Sequence, residues 1–249
     1  MIPRRIVDAF RRQDWFTVLV ETMIVVLGVF LGLQVNNWNA AQADARAYDE
    51  ALDRLRGEID ANMEMLDNAE KDIARELPIV RRASAALESC SDDNETRQAV
   101  NDGLEVITGT NGVVLRDAEL SSLTSDPRLL AQQSPTIRRR LSDLRFAESL
   151  VAKTTHDFEY TPLESRVERI AGLRPGPRVP RQTAYLGVTI NAERRSLQLS
   201  EPVSEACKIS DLVAAFWLWD RNQTNLPVWT QKMRMEFKET LDVLTTEKS

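Results

Sequence analysis

The stretch WFTVLVETMIVVLGVFLGLQVNNWN, Trp15 to Asn39, decides how the rest of the chain is read. From Trp15 to Val35 only Glu21 is charged, over 21 residues. A helix needs ~20 apolar residues to cross the hydrocarbon core of a bilayer. Trp15 and Trp38 bracket the run, as indole rings do at the two headgroup layers. Arg4, Arg5, Arg11 and Arg12 precede it, whereas Arg46 and Arg54 are the only basic residues soon after. That asymmetry predicts a cytoplasmic tail at 1–14 and a transmembrane helix at 15–35. Everything from residue 36 then lies across the membrane, in the periplasm of a bacterium with a Gram-negative envelope. A cleaved signal peptide is the rival reading, because Ala41-Gln42-Ala43 has the small-x-small form of a cleavage site. The apolar run is longer than a usual signal core, and polar Asn36 to Asn39 separates it from that site, so an uncleaved inner-membrane anchor is expected.

The polar residues inside the run have a pattern. At ~100° per residue, Glu21, Val25, Gly28, Gly32 and Asn39 fall within roughly 40° of one line along the helix. Gly28 and Gly32 form a GxxxG pair, which lets two helix backbones approach closely where lipid supplies no hydrophobic drive. A carboxyl on the same line is costly facing lipid and is better placed against a neighbouring helix. The stripe predicts helix association, with a second copy or another membrane protein as partner. Against it stands a plainer reading, in which Glu21 sits near the headgroups and the glycines are incidental.

The segment Glu21 followed by VVLGVFLGLQVNNWN resembles the N-terminal signature of a family of uncharacterised bacterial single-pass membrane proteins, catalogued as a domain of unknown function. Their anchors carry a Glu, a Gly-containing aliphatic run and then Leu-Gln-x-Asn-Asn-Trp-Asn, here Leu33 to Asn39. A looser likeness occurs at Leu120-Ser121-Ser122-Leu123, which lacks the family's glycine, and at Ile137-Arg138. The resemblance covers about a tenth of the chain; it implies the single-pass topology and no activity.

Beyond the anchor, composition points to an all-α protein. The hydrophobic fraction of 43% is ample for a folded core, and glycines number only nine. From 36 to 77 no proline interrupts a long juxtamembrane helix. Ala45, Leu52, Ile59, Leu66 and Ile73 recur every seven residues, with Ala41, Tyr48, Leu55, Asn62 and Ala69 between them. Such a seam suits either a coiled coil or an amphipathic helix lying on its own domain. Residues 78–249 supply partners for it. Pro78 is expected to break or kink the helix. Helical patterns follow at Ile79–Leu87 and Glu95–Ile107, with a turn at Gly109–Gly112. Asp126-Pro127, Ser134-Pro135 and Thr161-Pro162 each read as a cap followed by a first-turn proline. The second opens a helix with Ile137, Leu141, Leu144 and Leu150 on its apolar side. Gly172–Gln182 reads as a loop and Thr183–Ser204 as a loop or short helix, since a single strand would lack a sheet. A last helix, Ser210–Leu244, is expected to kink near Pro227, with the aromatics of Phe216 to Trp219 in the core.

Cys90 and Cys207 are the only cysteines; in an oxidising periplasm they suit a disulfide, and otherwise two buried thiols. The net charge of −6 argues against nucleic-acid binding, and Arg138–Arg140 reads as a solvated helix face. His156 is the only histidine, so metal sites built on several histidines are excluded. No phosphate loop, nucleophile elbow or CxxC occurs, which points away from an enzyme and names no cofactor or small-molecule substrate. The sequence favours a membrane-anchored interaction or scaffold protein, self-associating or serving an envelope assembly. A ligand-binding or sensor module acting through a partner chain is the alternative.

Overall fold

The computed structural model describes residues 15–246 except 165, 186 and 187, with side chains from Leu19 onward except at 181–190. The proposed cytoplasmic tail and the side chain of Trp15 lie outside the described residues. Helix α1, Trp15–Ser89, runs unbroken for 75 residues, about 110 Å at the ~1.5 Å rise of an α-helix. Its first part is uncovered by the other described residues: every residue from Leu19 to Ala43 is exposed, and full burial begins at Ala51.

From Ala51 onward α1 is the spine of two cores. The first joins Leu52, Leu55, Ile59, Leu66 and Ile73 to α3 (Ala118–Ser125), α4 (Pro127–Gln132), α5 (Pro135–Glu164) and α8 (Leu226–Thr246). The second joins Val80, Ala83 and Leu87 to α2 (Asn94–Ile107), the short α6 (Val203–Ala206) and α7 (Ser210–Gln223). Leu77 packs partly against both. The heptad seam is therefore an intramolecular packing face from Leu52 downwards. Gly103 shows how tightly the second core closes: a Cβ there would lie 2.3 Å from that of Ala83 and 2.7 Å from the Phe216 ring. No larger residue lets α1, α2 and α7 approach so closely.

Several local expectations are corrected. Pro78 does not end the helix; it sits inside α1, exposed. The carbonyl it leaves unpaired belongs to exposed Ala74, where water can satisfy it, and burial of Val80 and Ala83 holds the following turns. Pro162 likewise lies within α5 instead of starting a new helix, and only a 3₁₀ turn, Val167–Arg169, follows. The stretch expected to be loop is an antiparallel hairpin, β1 (Leu173–Tyr185) with β2 (Val188–Leu199). Its prolines are tolerated because both strands of a two-stranded ribbon are edges. The register shifts between Pro175 and Arg178, where Gly176-Pro177 interrupts the pairing. The final helix is two, α7 and α8, with Pro227 in the first turn of α8. Leu150 and Trp217 are exposed, the latter under the Arg221 guanidinium, while Val151, Ala147 and Trp219 are buried.

The caps at two proline starts form as their residue types dictate. Asp126 accepts from the Arg128 backbone N–H, and Ser134 Oγ accepts from that of Ile137. At α2 the carboxylate of Asp93 accepts from the N–H and the hydroxyl of Thr96 and from the Ser91 hydroxyl. These bonds, led by that of Ser91, hold the Asp93 carboxyl far below the usual range.

Candidate functional site

The exposed part of α1 is long and apolar enough to cross a membrane, and none of that stretch is buried in the protein. Glu21, Val25, Gly28, Gly32 and Asn39 are all exposed, and a Cβ built on either glycine would meet nothing within 4 Å. Trp38 is exposed at the far end of the run. Ala41 and Ala45 are exposed and Tyr48 half-buried, so only the upper end of the seam is open to another chain. At ~100° per residue, Leu52, Leu55, Ile59 and Leu66 lie roughly 160–220° round the helix from Glu21. The glycine stripe and the face that binds the bundle are on opposite sides of one rod. Between Val35 and Ala51 a stalk of about 22 Å, exposed except at half-buried Asp44 and Tyr48, separates the apolar run from the first core.

Cys90 and Cys207 are joined by a disulfide with Cα atoms 5.6 Å apart. Cys90 follows the last turn of α1 with φ 49°, a left-handed residue of the kind that ends helices. The bond ties the end of α1 to the residue after α6. Asp92 reinforces it, accepting from the backbone N–H and hydroxyl of Ser204.

A polar site lies in the first core, where the chain descends into α3. Asn62, a seam position, is fully buried. Its amide donates to the Arg116 carbonyl and accepts from the Arg116 N–H, both at 2.8 Å, pinning the loop to α1 as a strand partner would. One turn earlier Glu58 accepts from the N–H groups of Glu119 and Leu120 at 3.0 and 3.1 Å. A carboxylate from α1 thus caps the N-terminus of α3, where Asp117 makes no side-chain cap bond. Glu148 of α5 faces the same place. It is 6% exposed, and no donor or cation bonds its carboxyl among the described residues. Burial, then the charges of Glu58 and Asp117, push it up to about 8. Glu148, Asp117 and Arg145 are among the residues that line a cleft of about 290 Å³ there.

Arg140 corrects the reading of Arg138–Arg140 as a solvated face. Its side chain is 14% exposed and binds Glu236, Glu239 and the Thr240 hydroxyl, fastening α5 to α8. Burial pushes the Glu236 carboxyl up, but hydrogen bonds from Lys232 and Arg140 outweigh it and the net shift is downward. His156 lies on α5, its ring 4.1 Å from that of Tyr160.

Comparison with known protein families, characterised proteins and solved structures found no match.

The residues that sequence reasoning missed differ in how visible they were. Glu148 continues the spacing Ile137, Leu141, Leu144, Glu148, Val151, Thr155, a carboxylate in a core stripe. That pattern was a readable signal. Glu58 carried none, since its role depends on a loop more than 50 residues away.

Proposed function

We propose that this protein is a membrane-anchored scaffold of the bacterial envelope. Residues 15–35 span the inner membrane, residues 1–14 lie in the cytoplasm, and the helical bundle stands in the periplasm. The observation that carries this reading is the exposed rod: an apolar helix left uncovered by the described residues of its own chain needs lipid or another helix around it. The Cys90–Cys207 bond supports the same placement, because structural disulfides persist in oxidising compartments.

The stripe of Glu21, Val25, Gly28, Gly32 and Asn39 is the self-association face. Because the bundle packs on the opposite side of α1, two rods meeting along the stripe would hold their bundles outward. The bundle also occupies the seam from Leu52 onward, so contact along α1 between copies falls on the span and the upper stalk. Chemical cross-linking in native membranes tests this. A dimer band that disappears in the Gly28→Ile, Gly32→Ile double variant is expected, and isolated monomers at every cross-linker concentration would defeat the self-association.

A further inference from the structure

We propose that the cleft between α3 and α5 is a binding site for a small organic ammonium ion with a short apolar body, its charge held by the carboxylate of Glu148. The inference is independent of the scaffold reading, since it concerns only the packed part of the chain.

The cleft combines an acidic pair, Glu148 and Asp117, with apolar Leu115, Leu120 and Ala152 and the side chains of Ser121, Ser149 and Arg145. Glu58, just beneath, spends its carboxylate on two backbone N–H groups of α3. Arg145, the cation at the rim, donates to the Thr124 hydroxyl at 2.7 Å. The neighbouring Arg54 is paired with Glu119. Glu148 is thus a carboxyl more than nine-tenths buried, bordering a cavity, with no partner among the described residues. Its oxygens are not sealed off from the cleft, so a donor-bearing occupant entering there can reach the carboxyl.

The chemistry of that occupant follows from the walls. No group of three or more His, Cys, Asp or Glu among the described residues is placed to hold a metal ion. A cavity of about 290 Å³ lies at the small end of ligand pockets, room for a short alkyl chain with one ionic head. An ammonium group supplies both the donor and the counter-charge that Glu148 lacks.

An empty cleft keeps its carboxyl protonated near neutrality, so an arriving ammonium ion displaces that proton. With the free carboxyl near 8, apparent affinity should rise about tenfold from pH 7 to pH 9, because an alkylamine like that of lysine stays charged throughout.

The test is titration of the full chain in detergent with n-butylammonium chloride, and with n-butanol as the uncharged probe, by calorimetry from pH 6 to 9. Saturable binding of the amine, absent for the alcohol and about tenfold tighter at pH 9 than at pH 7, is the expected result. Glu148→Gln, which keeps the shape of the protonated side chain, should abolish it while melting as a folded protein. Ala152→Leu, at an exposed wall position, should block the cleft with the carboxyl intact. Equal binding of the alcohol, a flat pH profile, unchanged affinity in Glu148→Gln, or no saturable amine binding would each overturn the assignment.

Discussion

Between Leu19 and Ala43 every side chain of α1 is exposed, whereas from Ala51 to Leu87 the same helix buries a residue at almost every turn. The two parts share one uninterrupted backbone and differ in how apolar residues are distributed around it. In the first part Leu, Val, Ile and Phe occupy all sides, a pattern suited to a surrounding apolar solvent. In the second they keep to one face, with Arg, Asp and Glu on the other, a pattern suited to a core on one side and water on the other. Helix propensity cannot separate the two; the angular spread of apolar side chains does.

This contrast predicts very different responses to truncating a leucine. Leu66 is fully buried in the first core, and Leu66→Ala should lower the stability of the bundle by about 2–5 kcal/mol in thermal or denaturant unfolding. Leu27 is half-exposed in the rod with nothing packed on it, and Leu27→Ala should change the same transition by less than about 0.5 kcal/mol. Similar losses at the two positions would mean that the rod folds back onto the bundle.

The disulfide comes next in size. It closes a loop across a separation of 117 residues. Replacing both cysteines with serine should cost about 2–5 kcal/mol in the chain-entropy picture. The loss should fall mainly on the second core, read as faster amide exchange in α2, α6 and α7 than in α5 and α8.

Glu148 sharpens the comparison through pH. Its carboxyl is raised from 4.5 to about 8 by burial, so the native chain retains a proton that the unfolded chain releases. Its contribution to stability is complete below about pH 4.5, declines as pH rises towards 8 and is flat above. The decline should amount to about 2–3 kcal/mol, reduced from the full shift because the cleft opens to water. Glu148→Gln should remove that slope and be the more stable form at pH 8. A wild-type stability that rises between pH 5 and 8, with an unaltered slope in the variant, would contradict the assignment. The α2 cap is a smaller effect, and Asp93→Ala should fray the first turn of α2 and lower the melting temperature slightly.

What was legible in the sequence was what depends on near neighbours. The apolar run, the seam from Leu52 to Ile73, and the caps at Asp126 and Ser134 all follow from spacing and side-chain chemistry. What escaped depends on residues far apart. Pro78 ought to break or kink a helix, but the helix continues through it because Val80 and Ala83 find a core beyond it. Pro175, Pro177 and Pro180 argue against a strand until a second strand makes both of them edges. Leu150 looks apolar enough for the core, yet Val151 and the carboxyl of Glu148 occupy the inward positions. The acidic cleft needs α1, α3 and α5 together, and only the misplaced charge at Glu148 announced it.

The central claim is that the rod belongs in lipid and the bundle on the far side. Its most direct test is a reporter enzyme that folds only in the oxidising extracytoplasmic space, fused after Ser249 of the full chain in cells. The account predicts an active reporter that fractionates with the membrane. A reporter that is inactive there, while a cytoplasm-dependent one fused at the same point is active, would contradict it.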